Sequence, residues 1–215
     1  ISTIEGGMVL TDNNAYADIA RSLRAHGWIR ERSDRNSIAA TYPALDDKFL
    51  FVIPGYNLRP TEIQGAFGIH QVSKLEKFVE IRRKNADYWT RELERYSDYF
   101  LLPENRIGIR HVFFGYPITV REKAPFTREE LVHFLEGNGI ETRPVMAGDM
   151  TQQPAMIHIC YRVAGSLTNS KVIHARSFFW GNHHGIGPAQ RAFIVDCIRE
   201  FVEQKVDTRE EQRTK

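Results

Sequence analysis

Gly55-Tyr56-Asn57-Leu58-Arg59-Pro60-Thr61-Glu62-Ile63-Gln64 follows the apolar run Phe49 to Ile53, closed by Pro54-Gly55, and opens the longest helical pattern in the chain. Pro60 suits the first turn of a helix, where its missing N–H costs nothing. That placement puts Asn57 and Arg59 at a helix N-terminus, where free N–H groups and the positive end of the dipole favour an anion. A carboxamide and a guanidinium at such an end form either a phosphate clamp or a capped helix start with an exposed arginine. Local physics leaves both open.

Downstream, the pattern predicts a helix from Pro60 to about Tyr96, broken near Ser73. Ile63, Ala66, Phe67 and His70 share one face, and Leu75, Phe78, Val79, Arg82 and Ala86 continue one. Gly65 and Gly68 lie inside it and cost about 1 kcal/mol each against alanine. They mark either the close approach of another backbone or dimer partner, or a tolerated imperfection. Glu80 to Arg95 reads as a solvated, charged face.

Upstream, Asp12 to Gly27 reads as a helix capped by Asp12 or Asn13, with Tyr16, Ile19, Ala20 and Leu23 as its apolar stripe. Gly27 ends it, and His26 fits a C-terminal cap at the negative dipole end. Ile29 to Lys48 is polar, mixed in charge and without period, the pattern of a surface loop. Ile1 to Thr11 reads as strand, turn, strand around Glu5-Gly6-Gly7.

The second half changes period. Val112 to Val120 reads as a strand, and Thr127-Arg128-Glu129-Glu130 as a capping box opening a helix to Gly137. Ile140 to Val145 is a second strand, Lys171 to Ser177 a short helix, and Phe178 to Gly181 a short strand or turn. Pro188 to Val206 is a terminal helix with Phe193, Ile194, Cys197, Ile198 and Phe201 inward. Strands and helices alternating around one sheet define an α/β sandwich. Thr208 to Lys215 is charged and expected to fray.

The 215 residues are 42% hydrophobic and 26% charged with net charge +2, an ordinary globular composition with no bulk basic field for nucleic acid. Cys160 and Cys197 form neither metal-ligand spacing nor a disulfide scaffold, which fits a reducing, cytoplasmic location. No apolar run approaches the ~20 residues that span a bilayer, and no charged-then-apolar leader opens the chain.

Two clusters in the second half carry candidate chemistry. Thr142-Arg143-Pro144 ends a strand with an arginine that either meets a phosphate or carboxylate or is simply exposed. Gly181-Asn182-His183-His184-Gly185 places adjacent histidines on a loop. Successive residues of an extended chain point opposite ways, so His183 and His184 do not suit one metal ion. No third ligand lies at metal spacing, and substrate contact or local proton transfer is the expected role. No Ser-His-Asp set, phosphate-binding P-loop, dinucleotide glycine fingerprint or zinc motif is present. None of the eight lysines, Lys48, Lys74, Lys77 and Lys84 among them, lies in an apolar setting that would lower its pKa for imine formation.

The decapeptide resembles the signature of the DegT/DnrJ/EryC1/StrS family of pyridoxal-phosphate (PLP) enzymes that remodel nucleotide-linked sugars. Arg24-Ala25-His26-Gly27-Trp28 and the Glu5-Gly6-Gly7 turn are also similar to that family. Thr142-Arg143-Pro144-x-x-Ala147-Gly148, Gln152-Gln153-Pro154, Tyr161-Arg162-x-x-Gly165 and Gly181-Asn182-His183-His184 resemble its sugar 3-dehydratase branch, with Asp149 and Gln153 where Asn and Arg are expected. The resemblance implies the C-terminal portion of a fold-type I PLP-dependent transferase. Residues 1–72 would close the large cofactor domain and begin a linking helix, 73–207 would form the small α/β domain, and 208–215 a charged tail. It implies that Asn57 reaches across a homodimer to the partner's cofactor phosphate. Arg59, Arg143, His183 and His184 are candidate substrate contacts for a nucleotide-linked keto-deoxysugar, and glutamate is an amino donor. The Lys that bonds the cofactor, or the His that replaces it in the dehydratases, would fall just before Ile1, so no catalytic residue is assigned here. The rival reading is a non-catalytic module keeping only a dimerisation or nucleotide-binding surface.

Overall fold

The computed structural model describes residues 1–213, with side chains described up to Asp207. Its contacts divide into two compact units, Ile1–Leu75 and Glu76–Lys215.

In the first unit, helix α1 (Asn14–Arg24) starts where the sequence marks it. The Asn13 side-chain oxygen accepts from the backbone N–H groups of Ala15 at 2.9 Å and Tyr16 at 3.2 Å, satisfying donors the helix cannot. Its orientation differs from the expected one. Tyr16 and Ile19 are exposed, and Asp18 and Ser22 are buried. Hydrogen bonds to the following segment select that face. The Asp18 carboxylate accepts from the Ser33 hydroxyl at 2.5 Å, the Ser33 N–H at 2.9 Å and Arg21 at 2.8 Å. The Ser22 hydroxyl donates to the Trp28 carbonyl at 2.7 Å.

Those donors hold the Asp18 carboxyl down at about 2, from an ordinary 3.8. A depressed carboxylate stabilises the fold above the unfolded pKa, and the contribution is lost as pH falls toward the folded value. Acid unfolding followed by circular dichroism therefore shows a stability loss between about pH 4 and 2 that Asp18→Asn reduces. Parallel acid profiles for the two proteins would contradict this.

The segment expected to be a loop, Ile29 to Lys48, is more ordered than its polarity suggests. It contains α2 (Arg35–Thr41) and a 3-10 turn, Asp47–Phe49. Ion pairs organise it: Arg32 grips Asp34 with two bonds of 2.7 Å, and Arg35 meets Asp47 at 2.7 Å. Ile29 is fully buried beneath it. The hairpin expected over Ile1 to Thr11 is not formed. No ladder joins these residues to a described strand, Ile4 takes a left-handed φ of 73°, and Met8, Val9 and Leu10 are exposed. Strand pairing is what would have satisfied that backbone.

Helix α3 (Glu62–Val72) begins later than Pro60 predicts. Thr61 is its N-cap, and the Gln64 side chain accepts from the Thr61 N–H at 2.7 Å. A reciprocal cap of this kind outweighs the preference of Pro60 for a first turn, so Asn57 and Arg59 precede the helix instead of forming its end.

In the second unit, α4 (Leu75–Leu93) leads through a 3-10 turn to β1 (Phe100–Leu101). Then follow β2 (Gly115–Val120), α5 (Arg128–Gly137), β3 (Thr142–Pro144), α6 (Thr168–Arg176), β4 (Ser177–Gly181) and α7 (Pro188–Arg213). The strands form a four-stranded sheet in the order β1-β2-β4-β3 with every neighbouring pair antiparallel. Along β2, Tyr116, Ile118 and Val120 are buried while Pro117 and Thr119 are less so, the period-2 pattern of a sheet with one face in the core. The buried residues pack with Phe178 and Trp180 of β4, Ala86, Trp89 and Leu93 of α4, Leu131 and Leu135 of α5, and one stripe of α7. That stripe is Ile194, Cys197, Ile198, Phe201 and Val202. Phe193, expected inward, is exposed, because the 3.6-residue period carries it off the stripe.

The capping box at Thr127 is present, with the Thr127 N–H donating to Glu130 at 2.7 Å. The charged stretch of α4 is solvated on one side only, since Asn85, Ala86, Trp89 and Leu93 are core. Helix α7 continues past Val206 to Arg213, because the Arg, Glu and Gln residues there are good helix formers. The remainder of the charged tail, Thr214 and Lys215, lies outside the described residues. Among the described residues no helix is long and apolar enough to cross a membrane.

Candidate functional site

In the first unit the signature segment is held against the end of α1 by backbone alone. The Tyr56 N–H donates to the Leu23 carbonyl at 2.6 Å, the His26 N–H to the Tyr56 carbonyl at 2.8 Å, and the Leu58 N–H to the Arg24 carbonyl at 2.8 Å. Asn57 thereby faces Ala25 in an isolated antiparallel bridge. Two glycines make the approach possible. A Cβ on Gly27, whose φ is +90°, would stand 1.7 Å from the Ile53 carbonyl oxygen, and one on Gly55 would stand 2.2 Å from the Gly27 nitrogen. Gly65, by contrast, has open space around it, and Gly68 meets only the Thr3 methyl at 3.6 Å. Within this chain the close backbone approach occurs at Gly27 and Gly55.

The Asn57 side chain is exposed and takes no hydrogen-bond partner among the described residues. Arg59 lies 6.0 Å and Arg30 5.2 Å from the Trp28 ring centroid, within cation–π range. Phe51 and His26 each sit 5.6 Å from the same ring. Neither Arg30 nor Arg59 has a carboxylate partner among the described residues, unlike Arg24, which pairs with Glu31. The sequence did not single out Trp28, Arg30 and Phe51 as a cluster, because the bridge pairing Trp28 with Phe51 joins segments far apart in the chain. His26 is not the expected helix cap. Ala25 occupies that place, and His26 follows it with a left-handed φ of 61° and an exposed side chain.

In the second unit, Arg143 and His183 line one cleft of about 760 Å³, with Arg82, Glu141, Met146 and Trp180. Arg143 is exposed and binds Glu141 at 2.6 Å. His184 is not part of that lining. Its ring stacks on Phe78 of α4 at 4.0 Å and 15°. Between β4 and these histidines, Asn182 is buried and does structural duty. It donates to the carbonyls of Arg82 at 3.0 Å and Phe113 at 3.1 Å and accepts from Asn85 at 3.3 Å. The sequence drew attention to the histidines of this loop, while the asparagine before them fixes where the loop leaves the sheet. Two buried donors of the cleft lining, Arg82 Nε and Trp180 Nε1, have no hydrogen-bond partner among the described residues.

Asp149 stands where Asn is expected in a dehydratase-like chain, and its Oδ2 is buried with no hydrogen-bond partner among the described residues. The residue is buried and its Oδ1 accepts from the Thr151 hydroxyl at 2.6 Å and N–H at 3.0 Å, which hold its carboxyl below the usual range. Among the described residues no group of three or more His, Cys, Asp or Glu side chains is placed to hold a metal ion.

The arrangement fits a PLP phosphate in part. Asn57 offers an exposed carboxamide donor without intrachain competition, the requirement for a phosphate oxygen. No described lysine offers the desolvated amine that imine chemistry needs. Lys48, Lys74, Lys77, Lys84, Lys123 and Lys171 are exposed, and Lys205 is engaged by Glu130 at 2.5 Å.

The helices and antiparallel sheet form the α/β architecture found in the C-terminal portion of PLP-dependent aminotransferase-type proteins. The chain belongs to the DegT/DnrJ/EryC1/StrS aminotransferase family, whose model matches residues 1–199. It is 37% identical over 186 residues to GDP-4-keto-6-deoxy-D-mannose 3-dehydratase of Yersinia pseudotuberculosis, covering 85% of this chain and 47% of that protein. It is 37% identical over 215 residues to dTDP-4-dehydro-2,6-dideoxy-D-glucose 3-dehydratase of Saccharopolyspora spinosa, covering 94% of this chain and 46% of that protein. A solved GDP-4-keto-6-deoxymannose-3-dehydratase with a trapped PLP-glutamate geminal diamine superposes with a TM-score of 0.80 at 30% identity, over 92% of this chain and 51% of that one. The chain thus spans about half the length of the curated relatives it matches.

Proposed function

We propose that this chain is part of a PLP-dependent enzyme acting on a nucleotide-linked 4-keto-6-deoxy sugar, by 3-dehydration or amino transfer, in cytoplasmic synthesis of cell-surface polysaccharide. The observation that carries the reading is the exposed, unpartnered Asn57 carboxamide, held by the Gly27–Gly55 crossing in a segment that matches the family signature. Bound PLP would act as an electron sink for a carbanion. This chain's residues would bind and orient. Asn57 donates to the cofactor phosphate of the partner subunit in a homodimer. Arg59, beside Trp28, and Arg143 and His183, in the cleft of the second unit, offer donors to an oxygen-rich anionic sugar nucleotide. The likeness to 3-dehydratases supports that branch, and the PLP-glutamate relative supports glutamate as the amino donor.

The test uses the complete protein with PLP, glutamate and GDP- or dTDP-linked 4-keto-6-deoxy sugar, with products read by mass spectrometry. Loss of the C3 oxygen supports dehydration and gain of an amine supports transfer. A complete protein that neither binds PLP nor alters either sugar would overturn the reading in favour of a non-catalytic module. The lysine environments yield a further expectation. The 215-residue chain by itself, given PLP and borohydride, forms no stoichiometric covalent adduct. A trapped adduct mapped to one of its described lysines would show that the chain holds its own amine anchor.

A further inference from the structure

We infer that Gly27 and Gly55 are positioning residues for Asn57, acting on cofactor phosphate binding through the backbone crossing they permit. The inference rests on the reading of Asn57 as a phosphate ligand and adds the device that aims it.

The Asn57 side chain has no hydrogen bond among the described residues to fix its direction, so its backbone sets where it points. That backbone is fixed by the crossing. Its neighbours Tyr56 and Leu58 are tied to Leu23, His26 and Arg24 by three bonds of 2.6–2.8 Å. The Gly27 carbonyl accepts from the Val52 N–H at 3.0 Å, and the Gly27 N–H donates to the Ser22 carbonyl at 2.8 Å. One turn therefore receives the chain both before and after Gly55. The glycines make this contact mutual, since each lacks the Cβ that would strike the other's segment, at 1.7 Å from Ile53 O and 2.2 Å from Gly27 N. Both obstacles are main-chain atoms, so no side-chain rotation relieves them. A methyl at either site must push the two segments apart and move the Asn57 Cα with them. Ser22 closes the same turn from inside, its hydroxyl donating to the Trp28 carbonyl at 2.7 Å. A hydrogen bond to an ionised phosphate weakens steeply with misplacement, so a small shift is enough to lose it.

The experiment is a double-variant cycle on the complete enzyme, with Kd measured for PLP and for pyridoxal, which lacks the phosphate. Gly55→Ala is expected to raise the PLP Kd about tenfold or more, the size of a lost bond to a charged group, and to leave pyridoxal binding unchanged. In an Asn57→Ala background the same change should add nothing, because the ligand it aims is gone. The 31P resonance of bound cofactor should shift alike in Gly55→Ala and Asn57→Ala. An equal PLP penalty in both backgrounds, or equal weakening of PLP and pyridoxal, would overturn the inference while leaving Asn57 as a ligand. Undiminished PLP affinity in Asn57→Ala alone would remove the underlying reading and the inference with it. If the glycine variants do not fold, Ser22→Ala loosens the same turn without a clash. It should show the same PLP-selective, Asn57-dependent loss on a smaller scale, and a loss independent of Asn57 would again overturn the proposal.

Discussion

At PLP concentrations too low to load the Asn57→Ala variant, mixing it with a variant that lacks the residue that bonds or faces the cofactor restores activity to the complete enzyme. The expectation follows from the proposed path of Asn57 across a dimer interface. Both lesions then fall in one of the two sites of the mixed dimer, and the second site is intact. If Asn57 serves the cofactor of its own subunit, each site keeps one lesion and mixing recovers nothing. The single variants set the scale. Asn57→Ala removes one donor to a charged phosphate, worth about 1.5–3 kcal/mol of cofactor affinity. Asn57→Asp is worse, because it adds a negative charge beside an anion. The exposed carboxamide has no hydrogen bond to lose among the described residues, so neither change should disturb folding. A thermal unfolding midpoint that falls in step with cofactor affinity in the apoprotein would contradict the assignment.

Trp89→Ala has the largest expected effect on stability. Trp89 is completely buried between α4 and the sheet. Its ring meets Tyr116 at 5.3 Å and Trp180 at 5.5 Å, both edge-on, and its indole N–H donates to the Arg191 carbonyl at 3.1 Å. Truncation removes a large apolar side chain from a packed interior and leaves a cavity, at a cost of about 3–5 kcal/mol. It also removes the indole bond to the Arg191 carbonyl at the start of α7. Trp89→Phe retains much of the ring contact and loses the hydrogen bond, for a cost nearer 1–2 kcal/mol. Urea unfolding of the three proteins should rank them in that order, and an alanine variant within about 1 kcal/mol of the parent would show that the site collapses around the loss.

The second unit was largely legible in the sequence, and the reason is physical. Its elements carry their own signals: the Thr127 capping box, the two-residue alternation of β2 and the stripe on α7 are local patterns. The strand β1 was missed because two residues are too few to show a period. The first unit was read less well. Its α1 helix turns a polar face inward for Asp18 and Ser22, and hydrophobic patterning cannot foresee a face chosen by hydrogen bonds to Ser33 and Trp28. The candidate site shows the same division. The signature around Asn57 was evident as a motif, but its geometry was not. Pro60 suggested a helix end, whereas the position of Asn57 is set by a crossing between segments near Gly27 and Gly55, almost thirty residues apart. Arg143 and His183 were singled out separately, and only the antiparallel register of β3 on β4 places Arg143 opposite Phe179, on the strand whose following loop carries His183.

The apolar side chains that the first unit leaves uncovered have a consequence for biosynthesis. Met8, Val9 and Leu10 face outward, as do Ile63, Phe67, Ile69 and Val72 on α3. These segments leave the ribosome before the second unit has been made, since translation runs from the N-terminus. The second unit closes its own core from α4, α5, α7 and the sheet. The first buries few large apolar side chains, Ile29 and Leu50 among them. Such surfaces are sticky until something covers them. The two units therefore differ in what they leave to others: the second encloses a core of its own, and the first displays apolar side chains for further protein to cover.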